Sequence, residues 1–404
     1  MLARFVPAAL AAALLAASPA AIAANYVVSS LADSGAGSLR EAVGFANGTP
    51  GVPDTITFTV AGTITLTSGE LVVTDTLSID GPGARSLTID GNLNDRLFEV
   101  QTSTTNLSLA GLTLTRGLTS GNGGAILNNG GDLTLSYVRI TDNEATTGTG
   151  GAIYDPFQAD VAGVSVNILT ISNSEISLNR ANKAAGIYHG GYELRIDNST
   201  IYGNVATDSV GGIHEQFGFA TIRNSTISDN AANFVGGILF ETNASFYVLN
   251  FESTIVANNT DSSGANDINR LGSGIVNSTN SLFEEDITVA PAVINGTDAG
   301  NQIGVDPQLL AFGNNGGPTN SMRPSSTGPA IGVGSNSQAY SYDQRGPGFA
   351  RDAGGAVDIG AIQSFVEPHP KPVRHPVPAL GALPLALLSL LVGLAGLARR
   401  RRRG

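Results

Sequence analysis

Four residues with acid–base or amide side chains fall at one position of a recurring unit. The unit is two small residues followed by isoleucine: Gly124-Ala125-Ile126, Gly151-Ala152-Ile153, Ala185-Gly186-Ile187, Gly211-Gly212-Ile213 and Gly236-Gly237-Ile238. Two residues beyond the isoleucine stand Asn128, Asp155, His189 and Glu215. If the copies stack, Asp155, His189 and Glu215 meet at one edge, and a histidine between two carboxylates could serve general acid–base chemistry. The alternative is a solvated turn column with no chemistry. One residue beyond the isoleucine stand Leu127, Tyr154, Tyr188, His214 and Leu239. Tyr154, Tyr188 and His214 would then form a platform for glycan rings, whose flat apolar faces stack on aromatics. The alternative there is ordinary packing under a loop.

Other chemistries find little support. The chain has no cysteine, and its four histidines, His189, His214, His369 and His375, are dispersed, so no metal site and no metal-dependent folding is expected. It has no calcium-binding nonapeptide repeat, no P-loop and no dinucleotide fingerprint, so no cofactor is expected.

The spacing of the units decides what must position these residues. Ile126 to Ile153 is 27 residues, Ile187 to Ile213 is 26 and Ile213 to Ile238 is 25. Ile153 to Ile187 is 34, which places an insertion at Pro156–Gly163. Between units, an isoleucine precedes an asparagine by three residues: Ile140 and Asn143, Ile176 and Asn179, Ile201 and Asn204, Ile227 and Asn230, Ile255 and Asn258. Each repeat holds three short alternating runs and no helical periodicity. A unit of about 25 residues built this way is one coil of a parallel β-helix, because no coil can bury its apolar face alone. The fold expected is all-β, a right-handed parallel β-helix (solenoid) of roughly nine coils. The isoleucines fill the tube. The asparagines mark a tight turn, where left-handed backbone is tolerated and each amide can bond to the copy above.

Earlier residues read as less regular coils: Ile56–Val60, Thr63–Leu66, Leu71–Val73, Leu77–Ile79, Leu87–Ile89, Leu97–Val100 and Leu107–Leu114. A stacked tube has open edges that must be covered. Ser38-Leu39-Arg40-Glu41 is a capping box, and Leu39, Ala42, Val43 and Ala46 share one face, so a short helix over 38–47 is expected to lid the first coil. The Gly/Asn/Pro-rich stretch 300–363 is expected to cover the other end.

Both ends of the chain read as processing signals. Residues 1–24 carry Arg4, an apolar run, Ser18-Pro19 and Ala21-Ile22-Ala23, the pattern of a secretory signal peptide processed at Ala23 and Ala24. Val377–Ala398 is apolar, uncharged and close to the ~20 residues of a membrane-spanning helix, and Arg399–Arg403 follow it. Arginines resist translocation, so the tail is expected on the cytoplasmic side and the body across the membrane. Of 21 Lys and Arg, six lie in these two ends. The remaining 15 face 33 Asp and Glu, a net charge near −18, which argues against a nucleic-acid partner. The expected division is 1–24 signal peptide, 25–55 N-terminal cap, 56–299 coils, 300–363 C-terminal region, 364–376 proline-rich linker and 377–404 single transmembrane helix with its arginine tail.

Three segments carry a resemblance. Ser38-Leu39-Arg40-Glu41-Ala42 with Asp54-Thr55-Ile56-Thr57-Phe58 resembles the CSLREA domain of bacterial surface β-helix proteins, with Gly37 where that motif begins with cysteine. Asp306-Pro307, Asn315–Thr319, Gly328–Ile331, Asp343–Gly346 and Asp358–Ala361 resemble a choice-of-anchor Q domain. Val377–Leu380, the apolar span and the arginines look like an IPTL-CTERM sorting signal. The resemblance implies an exported, cell-surface or secreted protein of a Gram-negative-type envelope. It implies export and C-terminal sorting machinery as partners, and membrane contact through a transient C-terminal anchor. It implies no activity.

Two functional classes remain. The first is a non-catalytic interaction or structural protein that binds a polysaccharide or surface matrix. The second is a polysaccharide lyase or glycoside hydrolase, because right-handed β-helices include pectate lyases and polygalacturonases. Against the second, the chain has no Asp-Asp pair and no Arg-Ile-Lys, and His189-Gly190 is only a fragment of the hydrolase pattern. Inverting hydrolysis needs two suitably separated carboxylates.

Overall fold

A computed structural model of the chain describes residues 22–158, 167–287, 293–352 and 355–364. Successive short strands do not pair with their sequence neighbours. Each pairs in parallel with its counterpart one coil later, as Ile153 with Ile187 and Ile187 with Ile213. The result is a parallel β-solenoid of about ten coils with three long sheets. The first runs from Asn25–Val28 to Asp298–Ala299, the second from Gly62–Thr65 to Gln302–Ile303, and the third from Leu71–Val73 to Ile268–Gly272. A short fourth sheet, from Leu118–Thr119 to Val205–Ala206, widens the corner between the second and third.

Strand side chains alternate between faces, so the isoleucines fix which neighbours point inward. Ile126, Ile153, Ile187, Ile213 and Ile238 lie in register and are fully buried, part of one continuous core that runs the length of the tube. Leu107–Leu114, read from sequence as one strand, is two. Gly111 breaks it with φ +61° between Leu107–Ala110 of the first sheet and Thr113–Thr115 of the second. A Cβ on Gly111 would meet the carbonyl oxygen of Gly81 at 2.7 Å, so the corner requires glycine.

At the corner leaving the second sheet, an asparagine ladder crosses the coils. Asn143, Asn179 and Asn204 each donate from Nδ2 to Oδ1 of the next asparagine, at 2.9–3.0 Å, and Asn230 donates to Asn259 at 2.9 Å. Each Oδ1 also accepts the backbone N–H of the asparagine below. Two features differ from the sequence reading. The last rung is Asn259, not Asn258, because Ile227 pairs with Val256 rather than with Ile255. The left-handed residues are those before the rungs, Asp142, Leu178, Gly203, Asp229 and Asn258, with φ of 57–62°.

The N-terminal helix, Leu39–Ala46, forms with Ser38 Oγ accepting the N–H of Glu41, and it buries Leu39, Ala42, Val43 and Ala46. Of the 300–363 stretch expected to cover the far end of the tube, the described residues 307–352 and 355–363 lie along the outside of the second sheet and its corner with the first. Arg85 donates to the carbonyls of Gly317 and Thr319, Thr200 Oγ1 donates to Gln344, and Ala361 N–H donates to Thr226 Oγ1. Tyr202 stacks on Phe312 with centroids 4.0 Å apart. This arm therefore straps several coils together, and its described contacts do not involve the third sheet's outer face. Among the described residues no helix is long and apolar enough to cross a membrane. The signal-peptide core and Val377–Ala398 lie outside the described residues.

Candidate functional site

The register brings Asp155, His189 and Glu215 together, one per coil, on the third sheet. Their placement is not the solvated column considered from sequence. Ile187 points inward, so parity turns Tyr188 outward and His189 inward again. Asp155, His189 and Glu215 are 0–1 % exposed, inside the tube, with Phe240 as the next residue along.

His189 Nδ1 lies 2.8 Å from Glu215 Oε2, and His189 Nε2 lies 3.7 Å from Asp155 Oδ2. Asn128 Nδ2 and Asn167 Nδ2 donate to Asp155 Oδ1 at 2.9 and 2.7 Å. Asp155 Oδ2, His189 Nε2 and Glu215 Oε1 are buried without a hydrogen-bond partner among the described residues. Burial pushes the Asp155 carboxyl up to about 6, against the pull of His189, Asn167 and Asn128. Burial likewise raises Glu215, with His189 opposing. For His189, burial works to lower the pKa, but the charge and hydrogen bond of Glu215, with Asp155, outweigh it and the net shift is upward. This is a proton-retaining stack sealed from solvent, so it does not face any soluble polymer.

The neighbouring parity position faces out. Tyr154 and Tyr188 stack on each other, centroids 4.9 Å apart and planes 19° from parallel, and His214 meets Tyr188 edge-on at 5.3 Å. Adjacent strands are about 4.8 Å apart, which is itself an aromatic stacking distance. The adjoining faces of Tyr154 and Tyr188 therefore cover each other.

What the column does form is one wall of a groove of about 370 Å³, lined by Thr149, Lys183, Ser209, Phe234, Leu239 and Leu271 together with Tyr188, His214, Gln216 and Glu241. Tyr188 Oη donates to Gln216 Oε1. Gln216 Nε2 donates to Glu241 Oε2 at 3.3 Å, and His214 Nε2 lies 2.9 Å from the same oxygen. Burial raises the Tyr188 phenol to about 12. Burial also lowers His214, against its hydrogen bond to Glu241. Phe234 and Leu271 stand 43 % and 38 % exposed at the groove. Gln216, Phe234 and Glu241 were not singled out from sequence. Counting outward parity from Ile213 and Ile238 would have found Gln216 and Glu241. Phe234 sits on a loop and carries no such signal.

Among the described residues no group of His, Cys, Asp and Glu could hold a metal ion. No protein-family model matches the chain, and no curated protein matches it.

Proposed function

We propose that the protein is a non-catalytic solenoid that binds polysaccharide or a glycan-rich surface matrix through the groove on its third sheet. The observation that carries this is the groove's composition: a connected row of hydroxyl, amide, imidazole and carboxylate groups beside exposed Phe234 and Leu271. Sugars present the same two chemistries, polar hydroxyl edges and apolar ring faces. Among the described residues the groove is lined by one carboxylate, Glu241, already engaged by His214 and Gln216. That is too few for the two-carboxylate mechanism of a hydrolase. The inward stack supplies two more, but behind the sheet.

The groove's chemistry says nothing of location. Export through residues 1–24, sorting through 377–404 and the kinship to surface β-helix proteins are proposed on the sequence patterns alone. Mass spectrometry of the mature protein tests them: a surface or medium fraction retaining residues 1–24, or an intact C-terminus through Gly404, contradicts the corresponding signal.

Binding is tested by titrating the full chain against plant and bacterial polysaccharides. Gln216→Ala and Phe234→Ala should each weaken the best ligand about tenfold, the equivalent of roughly 1.4 kcal/mol. Release of reducing ends or unsaturated products would establish the enzyme reading instead, and its loss in His214→Ala or Glu241→Gln would place that activity in the groove.

A further inference from the structure

Asp155 is followed by Pro156, and the chain contains a second Asp–Pro bond, Asp306-Pro307. The two lie in opposite surroundings. Asp306 is exposed, its Oδ1 accepting the N–H of Gln308. Asp155 is buried, its Oδ1 held by Asn128 and Asn167, and its Oδ2 without a hydrogen-bond partner among the described residues. The carbonyl oxygen of Asp155 accepts the backbone N–H of Gly190 at 2.8 Å, which polarises that carbonyl toward attack. The group leaving from this carbonyl would be the nitrogen of a proline, a tertiary amide that departs as a secondary amine.

We propose that the Asp155–Pro156 bond is a built-in self-cleavage site, at which the Asp155 side chain attacks its own main-chain carbonyl. In the first step Oδ2 bonds to the carbonyl carbon, the carboxyl proton passes to the Pro156 nitrogen, and the C–N bond breaks. The products are a five-membered cyclic anhydride at residue 155 and a free secondary amine at Pro156. Water then opens the anhydride, its hydroxyl going to one carbonyl and its proton to the displaced oxygen. Asp155 is left with its side-chain carboxyl and a new main-chain carboxyl. No oxidant, metal or cofactor enters the balance.

The step consumes the carboxylic acid form, and burial favours that form at Asp155. The groups that face this carboxyl are Asn128 from the coil before, His189 from the coil after, Glu215 one coil further and Asn167 from the returning chain. With its pKa raised to about 6 by burial, Asp155 holds its proton far closer to neutral pH than an ordinary exposed aspartate with pKa ~3.9. The described strands on both sides of the cut are held by their neighbours. Asp155 remains paired to His189, and Asn167 is followed by the strand Ile168–Ser172. Cleavage would nick the protein without unravelling it.

The test is incubation of the folded full chain at pH 5.5–6, followed by intact-mass spectrometry. Fragments ending at Asp155 and beginning at Pro156 should accumulate at least about tenfold faster than fragments split at Asp306–Pro307, whose aspartate is exposed and whose surroundings lack this arrangement. The preference should fall as pH rises through about 6 and vanish in denaturant, where both bonds lose their surroundings. Pro156→Ala keeps the Asp155 carboxyl and should remain intact at this position, with an unchanged melting temperature. Asp155→Asn should also remain intact. Absence of cleavage in the folded chain, equal cleavage at the two bonds, or a preference that persists in denaturant would overturn the proposal.

Discussion

Two buried polar columns cross the same coils of this solenoid, and they solve the same problem differently. The asparagine ladder repeats one residue type. Each amide carries a donor and an acceptor, so identical copies complete one another, and every rung from Asn143 to Asn259 is bonded above and below. The Asn128, Asp155, His189, Glu215 column changes residue at each coil. A carboxylate is acceptor-only and an imidazole holds one movable proton, so the fit depends on protonation, and three atoms find no partner among the described residues. Repetition of an amide gives a column indifferent to pH. Alternation of acids and base gives one that is sensitive to it.

The largest effect is expected from breaking the ladder. Asn204→Ala removes the acceptor of Asn179 N–H and Nδ2 and the donor to Ile176 O and Asn230 Oδ1, all buried. A loss of about 3–5 kcal/mol should appear in urea denaturation, since each stranded buried group costs about 1–3 kcal/mol.

Next in size is a pH dependence that arises in the other column and at the one carboxyl that closes the ladder, whose amides do not titrate. The folded pKa of Asp155 is raised to about 6, and that of Asp267, which terminates the ladder by accepting from Asn259, to about 7, both chiefly by burial. Groups raised on folding contribute stability that is full below their unfolded pKa and is lost as pH rises through the folded value. His189 and Glu215 are raised as well and act in the same direction. Melting temperature should therefore fall between pH 5 and 8, by the equivalent of a few kcal/mol. Asp155→Asn and Asp267→Asn should flatten that slope, whereas Asn204→Ala should leave it unchanged.

A smaller effect of opposite sign sharpens the contrast. Replacing His189 and Glu215 together by leucine removes a buried ion pair from an apolar tube, and this should be neutral or stabilise the fold by up to about 1–4 kcal/mol. A loss above about 2 kcal/mol would show that the stack holds the coils together as the ladder does. The smallest effect is reserved for Asn258→Ala. Its side chain reaches only Ser228 Oγ, at 3.4 Å, and stability should change by under about 1 kcal/mol. The same substitution at Asn259 should cost several-fold more, because Asn259 bonds to Ile227 O, Ala257 O and Asp267 Oδ1.

That last pair shows how far the sequence reads. Period alone established the solenoid, because a unit of about 25 residues with alternating apolar positions can bury its face only against a copy of itself. The capping box and apolar stripe of 38–47 were equally legible, since a helix start depends on neighbours three residues apart. The asparagine column was visible in four copies. It misregistered in the fifth, where Asn258 and Asn259 are adjacent and a shift of one residue exchanges inside for outside. The same parity, counted from Ile187, would have placed His189 indoors. The type of residue argued otherwise, because carboxylates are rarely buried.

Other features had no local signal at all. The arm over the second sheet is held by Arg85, Glu175, Thr200 and Thr226, residues 135 to 232 positions distant from their partners. The groove joins Lys183 to Leu271, and the Tyr154 and Tyr188 rings cover each other because strand spacing equals stacking distance. Local chemistry and period determined that the chain coils and what each coil repeats. Which side chains are sealed in, which meet across coils and which face stays open depend on register and on long-range packing, and only the tertiary structure decided them.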